Sequence, residues 1–183
     1  MRTNCILLSV LLFTFSTSSY TQSSYQKGFV VVNSGDTIRG WIDYRQWDKN
    51  PDAIKFRNDV MTDNTVVYKI NDLSYFEITG FDKYERAVVS KDMRPVETSK
   101  LEKNEKDIFV EDTVFLQILI KGNISLYQLE DSKAHYYIKE EGQDYEELLY
   151  KVYWQEYNAS LSKMSIFRDQ LKQWIPVSKT LLR

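Results

Sequence analysis

The sequence predicts an α+β domain: an antiparallel β-sheet or open barrel that C-terminal helices cover. Short alternating segments, bounded by Asp, Asn or Gly, recur as far as residue 143, and glycine turns join two pairs of them. Beyond that point, large apolar residues recur at three- and four-residue steps instead. We therefore divide the chain into a signal peptide (1–21), an antiparallel β-rich region (22–143), a helical region of the same domain (144–175) and a tail (176–183).

The first residues have the three parts of a secretory signal peptide. Arg2 gives a positive start, Ile6 to Phe15 is an apolar run, and Ser16 to Gln22 is small and polar. The small residues Ser19 and Thr21 predict cleavage after Thr21. The apolar run is too short to span a bilayer, and no second long apolar run follows. We therefore expect an exported chain, periplasmic rather than extracellular or surface-displayed, with no integral membrane span after cleavage.

Composition argues against several kinds of chemistry. A net charge of −2 is not the basic footprint of a nucleic-acid-binding protein. The one cysteine, Cys5, leaves with the signal, so the mature chain has no disulfide or thiol nucleophile. The one histidine, His135, alternates with Tyr136, and we expect it on the polar surface of its strand. Without a nucleophile-elbow or phosphate-binding glycine motif, we expect no catalytic residues, no cofactor and no metal.

The first ordered element is a hairpin from Gly28 to Arg45. We expect Ser34 and Gly35 to form a two-residue turn, which would pair Val31 with Ile38. After an ordered loop containing Pro51, four more short strands are predicted at Ala53–Arg57, Thr65–Ile70, Ser74–Thr79 and Tyr84–Ser90.

The strongest later signal is a second hairpin over residues 113–129, turned at Gly122 and Asn123. It carries large apolar groups on both faces, which predicts a central, covered position. One more strand follows at Ala134–Ile138, whereas the charged stretch 91–112 is interpreted as a solvated excursion. From Asp144 the period changes to that of an amphipathic helix, with a stripe of Tyr150, Tyr153, Tyr157, Leu161, Met164, Phe167, Leu171 and Trp174.

The run VFLQILIKGNISLY at Val114–Tyr127 resembles a domain common in exported proteins of Bacteroidetes-type bacteria. The later stretch of Tyr136, Tyr137 and Ile138, which leads into a predicted helix at Glu147 and Leu148, resembles it too. The opening hairpin resembles the same domain through Gly35, Asp36, Thr37, Gly40, Tyr44, Trp47, Asn50 and Pro51. The resemblance spans most of residues 28–157 and implies an uncharacterised domain that often precedes an outer-membrane β-barrel. Here the chain ends at Arg183 without room for a barrel, and the resemblance supplies no catalytic residues.

An aromatic cluster gives the candidate partner-binding residues. Trp41, Tyr44 and Trp47 gather at the end of the first hairpin, beside Arg45. Aromatic faces next to polar groups suit a sugar or a peptide. The alternative is that they pack the loop onto the helices as a minor core.

These observations favour a non-enzymatic envelope module that binds an envelope protein or a glycan, and not a nucleic acid. A periplasmic hydrolase using two carboxylates is the alternative. It requires a concave site with two acids within about 10 Å. A third hypothesis is a structural spacer, a relative that lost its barrel.

Overall fold

A computed structural model describes residues 24–59, 61, 63–97, 108–155 and 160–174. The predicted signal peptide and tail lie outside these residues. The main element is a ten-stranded sheet, in which every neighbouring pair is antiparallel. Its strands are β1 (Tyr25–Val32), β2 (Thr37–Asp43), β3 (Ala53–Arg57), β4 (Val66–Lys69), β5 (Leu73–Ile78), β6 (Lys83–Asp92), β7 (Phe109–Ile120), β8 (Ile124–Glu130), β9 (Ala134–Glu140) and β10 (Glu146–Glu147).

The sheet is open, with the order β10-β9-β8-β7-β6-β5-β1-β2-β3-β4. The edge strands are therefore β10 and β4. A separate two-stranded sheet pairs β11 (Lys151–Gln155) with β12 (Ser160–Met164), and helix α1 (Phe167–Trp174) follows. No helix in the described part of the chain is both long enough and apolar enough to cross a membrane.

Two hydrophobic cores lie on opposite faces of this sheet. The long strands β6 and β7 contribute to both. Tyr84 and Phe115 belong to the first core, and Ala87 and Leu116 belong to the second. Because successive side chains of a strand point to opposite faces, the sheet buries one face in its first half and the other in its second. The first core is Val30, Ile42, Ile54, Phe56, Leu73, Phe76, Ile78, Tyr84 and Phe115. The second is Ala87, Val89, Val114, Leu116, Tyr127, Leu129 and Tyr137.

The first hairpin forms where predicted, but the predicted register is wrong by one residue. Val31 pairs with Thr37, not with Ile38. The turn has three residues because Gly35 adopts a φ of 92°, which favours a three-residue loop with a left-handed glycine. A slip of one residue exchanges the faces of a strand, so Val30 enters the first core and Phe29 faces outward.

The other predicted strands are found in the structure. β3 has the predicted bounds, and β4, β5, β6 and β9 overlap their predicted segments. In the second hairpin, a two-residue turn at Gly122 and Asn123 predicts the pairs Gln117–Gln128, Ile118–Tyr127 and Leu119–Leu126. The first two pairs are confirmed, but the third is wrong, because a bulge at Leu119 pairs Ile120 with Leu126. The stretch 91–112 is not wholly an excursion, because its ends extend β6 and β7, while residues 98–107 lie outside the described part.

The α+β prediction is wrong in its helical half, because the described chain is mostly β. Among the described residues of 144–175, only α1 is helical, and β10, β11 and β12 form strands where we expected helix. The apolar spacing there fits a helix. However, the run Val152, Tyr153 and Trp154 consists of side chains that favour strands, and β12 supplies the hydrogen-bonding partner. Helices therefore do not cover the sheet as we expected.

One ordered loop, residues 44–52, joins the two halves of the sheet. The side-chain amide of Asn50 donates to the carbonyls of Phe115 at 2.7 Å and Gln128 at 2.9 Å. Its Oδ1 accepts the Glu130 N–H at 2.9 Å, and its own N–H donates to the Glu130 carbonyl at 2.9 Å. A single side chain thus ties the β2–β3 loop to β7 and β8.

Candidate ligand-binding cavity

A cavity of about 570 Å³ lies between α1, the segment after β10 and one face of β8 and β9. Its polar side chains besides tyrosine are Asp92, Lys133 and Glu147. The remaining lining is Val96, Leu126, Ala134, Tyr136, Leu148, Tyr150, Phe167 and Leu171. A cavity of this size and composition is within the range of small-molecule sites.

Strand alternation and helix periodicity produce this lining. Ala134 and Tyr136 alternate along β9 and face the cavity. The next residue, Tyr137, points to the opposite face, into the second core. Phe167 and Leu171 are four residues apart, so they share the face of α1 that borders the cavity. The cavity is therefore built on the outer side of the second half of the sheet.

The polar side chains of α1 fix the helix to β10. Gln170 donates to Glu146 Oε1 at 2.7 Å and to the Glu147 carbonyl at 2.9 Å, and it accepts the Leu149 N–H at 3.0 Å. The indole N–H of Trp174 donates to Glu146 Oε2 at 2.9 Å. These bonds hold one wall of the cavity in place.

At the charged end of the cavity, the polar groups bind one another. Glu147 Oε1 lies 2.6 Å from His135 Nδ1, and Glu147 Oε2 accepts the Asp92 N–H at 2.7 Å. Asp92 Oδ1 accepts from Arg94 Nε at 2.7 Å, and Asp92 Oδ2 accepts from a second guanidinium nitrogen. Lys133 donates to the Arg94 carbonyl at 2.7 Å. The charged end is thus internally satisfied.

Burial and pairing act in opposite directions on these acids. Burial by itself raises the pKa of Asp92, but hydrogen bonds from the Arg94 side chain and backbone outweigh it, so that the pKa is lowered. Burial also raises the pKa of Asp131, and the bonds from Lys91 and from the amides of Lys133 and Ser132 lower it by more. Both carboxylates are therefore ionised at neutral pH.

The prediction of a surface position for His135 is wrong. The residue is only 1% exposed, and its two ring nitrogens face Glu147 at 2.6 Å and Asp131 at 3.2 Å. The alternation of β9 was recognised correctly, but it buries His135 and Tyr137 and exposes Ala134 and Tyr136. A paired imidazole can be buried as readily as an apolar residue, and alternation alone does not say which face is covered.

The four predicted partner-binding residues do not form one site. Tyr44 and Trp47 contact each other edge to face and pack against the first core, where Trp47 meets Phe76. Tyr44 and Trp47 therefore pack the loop onto the protein, as in the alternative interpretation of a minor core, but they pack on the sheet and not on a helix. Burial and a hydrogen bond to Asp82 raise the pKa of Tyr44 to about 12.

Trp41 and Arg45 lie elsewhere. Trp41 is on the face of β2 opposite to Ile42 and therefore opposite to the first core. The Arg45 side chain is 72% exposed and pairs with Asp43 at 3.3 Å. Trp41 thus remains on an accessible surface, separated from Trp47 by the sheet.

The described residues contain no group of three or more His, Cys, Asp or Glu side chains arranged to hold a metal ion. No protein-family model, curated protein or solved structure matches this chain. The resemblance to the exported bacterial domain therefore stays a prediction.

Proposed function

We propose that this chain is an exported, non-enzymatic envelope module that binds an apolar ligand, of the acyl-chain type, in the 570 Å³ cavity. One observation carries the proposal: the charged groups at the end of the cavity are already bound to each other. An incoming ligand with polar groups would have to displace those bonds, whereas an apolar ligand uses the aliphatic and aromatic lining alone. Export and the periplasmic location are part of this proposal and rest on the signal-like N-terminus.

A fluorescent fatty acid tests the proposal. We expect cis-parinaric acid to gain fluorescence on binding the exported chain, because its emission rises in an apolar environment. Replacing Ala134 with Phe fills the cavity from β9 and should weaken binding at least tenfold. The matched control is Ala53→Phe, an equally exposed strand position in β3 that does not line the cavity.

Equal binding by A134F and the parent chain, with A53F also unchanged, would contradict the proposal. So would the absence of any fluorescence gain with the parent chain. Far-ultraviolet circular dichroism of both variants checks that neither substitution has unfolded the sheet.

A carboxylate-based hydrolase is the second candidate, because Asp92 and Glu147 line the same cavity. Glycoside hydrolysis needs one acid that can donate a proton and a second carboxylate that can attack or activate water. Here Arg94 keeps Asp92 ionised, and both oxygens of Glu147 accept internal hydrogen bonds. The geometry thus favours binding. New reducing ends released from oligosaccharides by the parent chain, and not by Glu147→Gln, would instead support the hydrolase.

A further inference from the structure

A second concave surface, of about 440 Å³, surrounds Trp41 on the outer face of the first half of the sheet. Lys27 lies directly opposite Trp41 across β1 and β2, and Arg39 precedes Trp41 by two residues on the same face. Gly28 and Gly40 pair with each other and line the surface with backbone only. Asn58 and Thr79 complete the lining.

The glycines are required by the core on the other side of the sheet. A Cβ at Gly40 would lie 2.3 Å from the Arg57 carbonyl oxygen and 2.5 Å from Phe56 Cζ. A Cβ at Gly28 would lie 2.3 Å from the Glu77 carbonyl oxygen. Four strands thus approach closely here, and the same strands hold Trp41, Lys27 and Arg39 in fixed relative positions.

The polar side chains of this surface are not used in hydrogen bonds or ion pairs by the part of the protein that the structure describes. Within the described residues, the side chains of Lys27, Arg39, Asn58 and Thr79 and the indole N–H of Trp41 make no hydrogen bond or ion pair. Arg39 does make a cation–π contact, in which its guanidinium carbon lies 5.5 Å from the Phe29 ring centroid.

Acidic side chains on the same face are already neutralised. Glu77 accepts from Tyr75 at 2.8 Å and pairs with Lys83 at 3.6 Å. Asp43 accepts from Ser24 and Arg45. Two unpaired cations, Lys27 and Arg39, thus remain beside an aromatic plane, on a chain whose net charge is −2.

From this arrangement we infer that the Trp41 surface binds a carboxylated sugar unit of a polysaccharide. The indole face offers the flat apolar contact that a sugar ring uses, and the two cations can hold its carboxylate. Asn58 and Thr79 can donate to and accept from ring hydroxyls. Each group around the surface would then have a hydrogen-bonding, ionic or stacking partner that the described residues do not supply.

Titration calorimetry with three polymers tests the inference. Polygalacturonate carries both the sugar ring and the carboxylate, dextran has the ring alone, and poly-L-glutamate has the carboxylate alone. We expect the exported chain to bind polygalacturonate at least tenfold more tightly than either of the others. No binding of polygalacturonate, or equal binding of poly-L-glutamate, would overturn the inference.

Variants locate the binding. The double substitution Lys27→Gln and Arg39→Gln, at two exposed positions, should weaken polygalacturonate binding at least tenfold, and Trp41→Ala should do the same. Arg45→Gln removes an equally exposed arginine outside the surface and should change binding less than twofold. Unchanged affinity in the double variant would overturn the inference even if Trp41→Ala proved unstable. The A134F variant should bind polygalacturonate normally, which separates this inference from the proposal for the apolar cavity.

Discussion

The two concave surfaces of this sheet treat their polar groups in opposite ways. At the end of the apolar cavity, Asp92, Arg94 and His135 are buried and Glu147 is half-buried. Hydrogen bonds join Arg94 to Asp92, and Glu147 to both Asp92 and His135. Around Trp41, the polar side chains are exposed and unpaired within the described residues. A ligand can reach a charge that is paired inside the protein only by breaking that pair, whereas an unpaired donor is available to it. Under the two proposals above, the charges of the second half bind each other and those of the first half bind a ligand.

The largest expected effect comes from breaking the buried pair. Arg94→Met removes the guanidinium that binds both oxygens of Asp92, which is 2% exposed, and leaves Lys133, at 4.0 Å, as its cation partner among the described residues. The substitution should cost about 3–5 kcal/mol in the free energy of unfolding. The first half of the chain contains the matched control. Arg45 pairs with Asp43 at the same sequence spacing but is 72% exposed, so Arg45→Met should cost less than about 1 kcal/mol. Urea unfolding measures both values, and similar losses in the two variants would contradict the contrast.

Acid should destabilise the protein by protonating two carboxylates in the second half of the sheet. The fold lowers the pKa of both Asp92 and Asp131 below the unfolded-state value of about 4. Both carboxylates therefore stabilise the fold at any pH above about 4, and this stabilisation is lost as the pH falls through the lowered pKa values. Unfolding free energies measured between about pH 7 and pH 3 should therefore decline toward acid.

Asp131→Asn should make that decline shallower. Asp36→Asn makes the same charge change in an exposed turn of the first hairpin and is the control. A decline as steep in D131N as in the parent chain would show that the acid sensitivity arises elsewhere.

The smallest expected effect concerns the Tyr137 hydroxyl, which is unpaired in the part of the chain that the structure describes, although the other buried polar groups of the second half are hydrogen-bonded. Tyr137 is fully buried, and within the described residues its hydroxyl has no hydrogen-bond partner. Tyr137→Phe should therefore leave stability unchanged or raise it by up to about 1 kcal/mol. Tyr145→Phe is the control, because the Tyr145 hydroxyl donates to Glu85, and its removal should cost about 1–2 kcal/mol. A loss of that size in Y137F, measured by urea unfolding, would reveal a partner for the Tyr137 hydroxyl.

Local signals in the sequence predicted most strands, because each strand is bounded by residues that end it. β3, for example, lies between Pro51-Asp52 and Asn58-Asp59, and its predicted bounds are those of the structure. The register of the first hairpin was not predictable in this way, since Gly35 permits turns of two or three residues.

The candidate cavity depended on information that no local pattern contains. Which face of β9 is covered is decided by the change of buried face at β6 and β7, and hence by the whole sheet. The charged end joins residues from β6, β9 and β10 that are far apart in the chain. Trp41 could be singled out from its type and neighbours, but its separation from Trp47 required the faces of β2 to be known.

The hydrogen bonds of Asn50 impose an order on the steps of folding. The hydrogen bonds of the Asn50 side chain join residues that are 65, 78 and 80 positions apart in the chain. The first core therefore waits for β7 and β8 before the loop can close over it, and such distant contacts slow folding. In pulsed hydrogen exchange, the Asn50 amide should gain protection together with β8 and later than the β1–β2 hairpin.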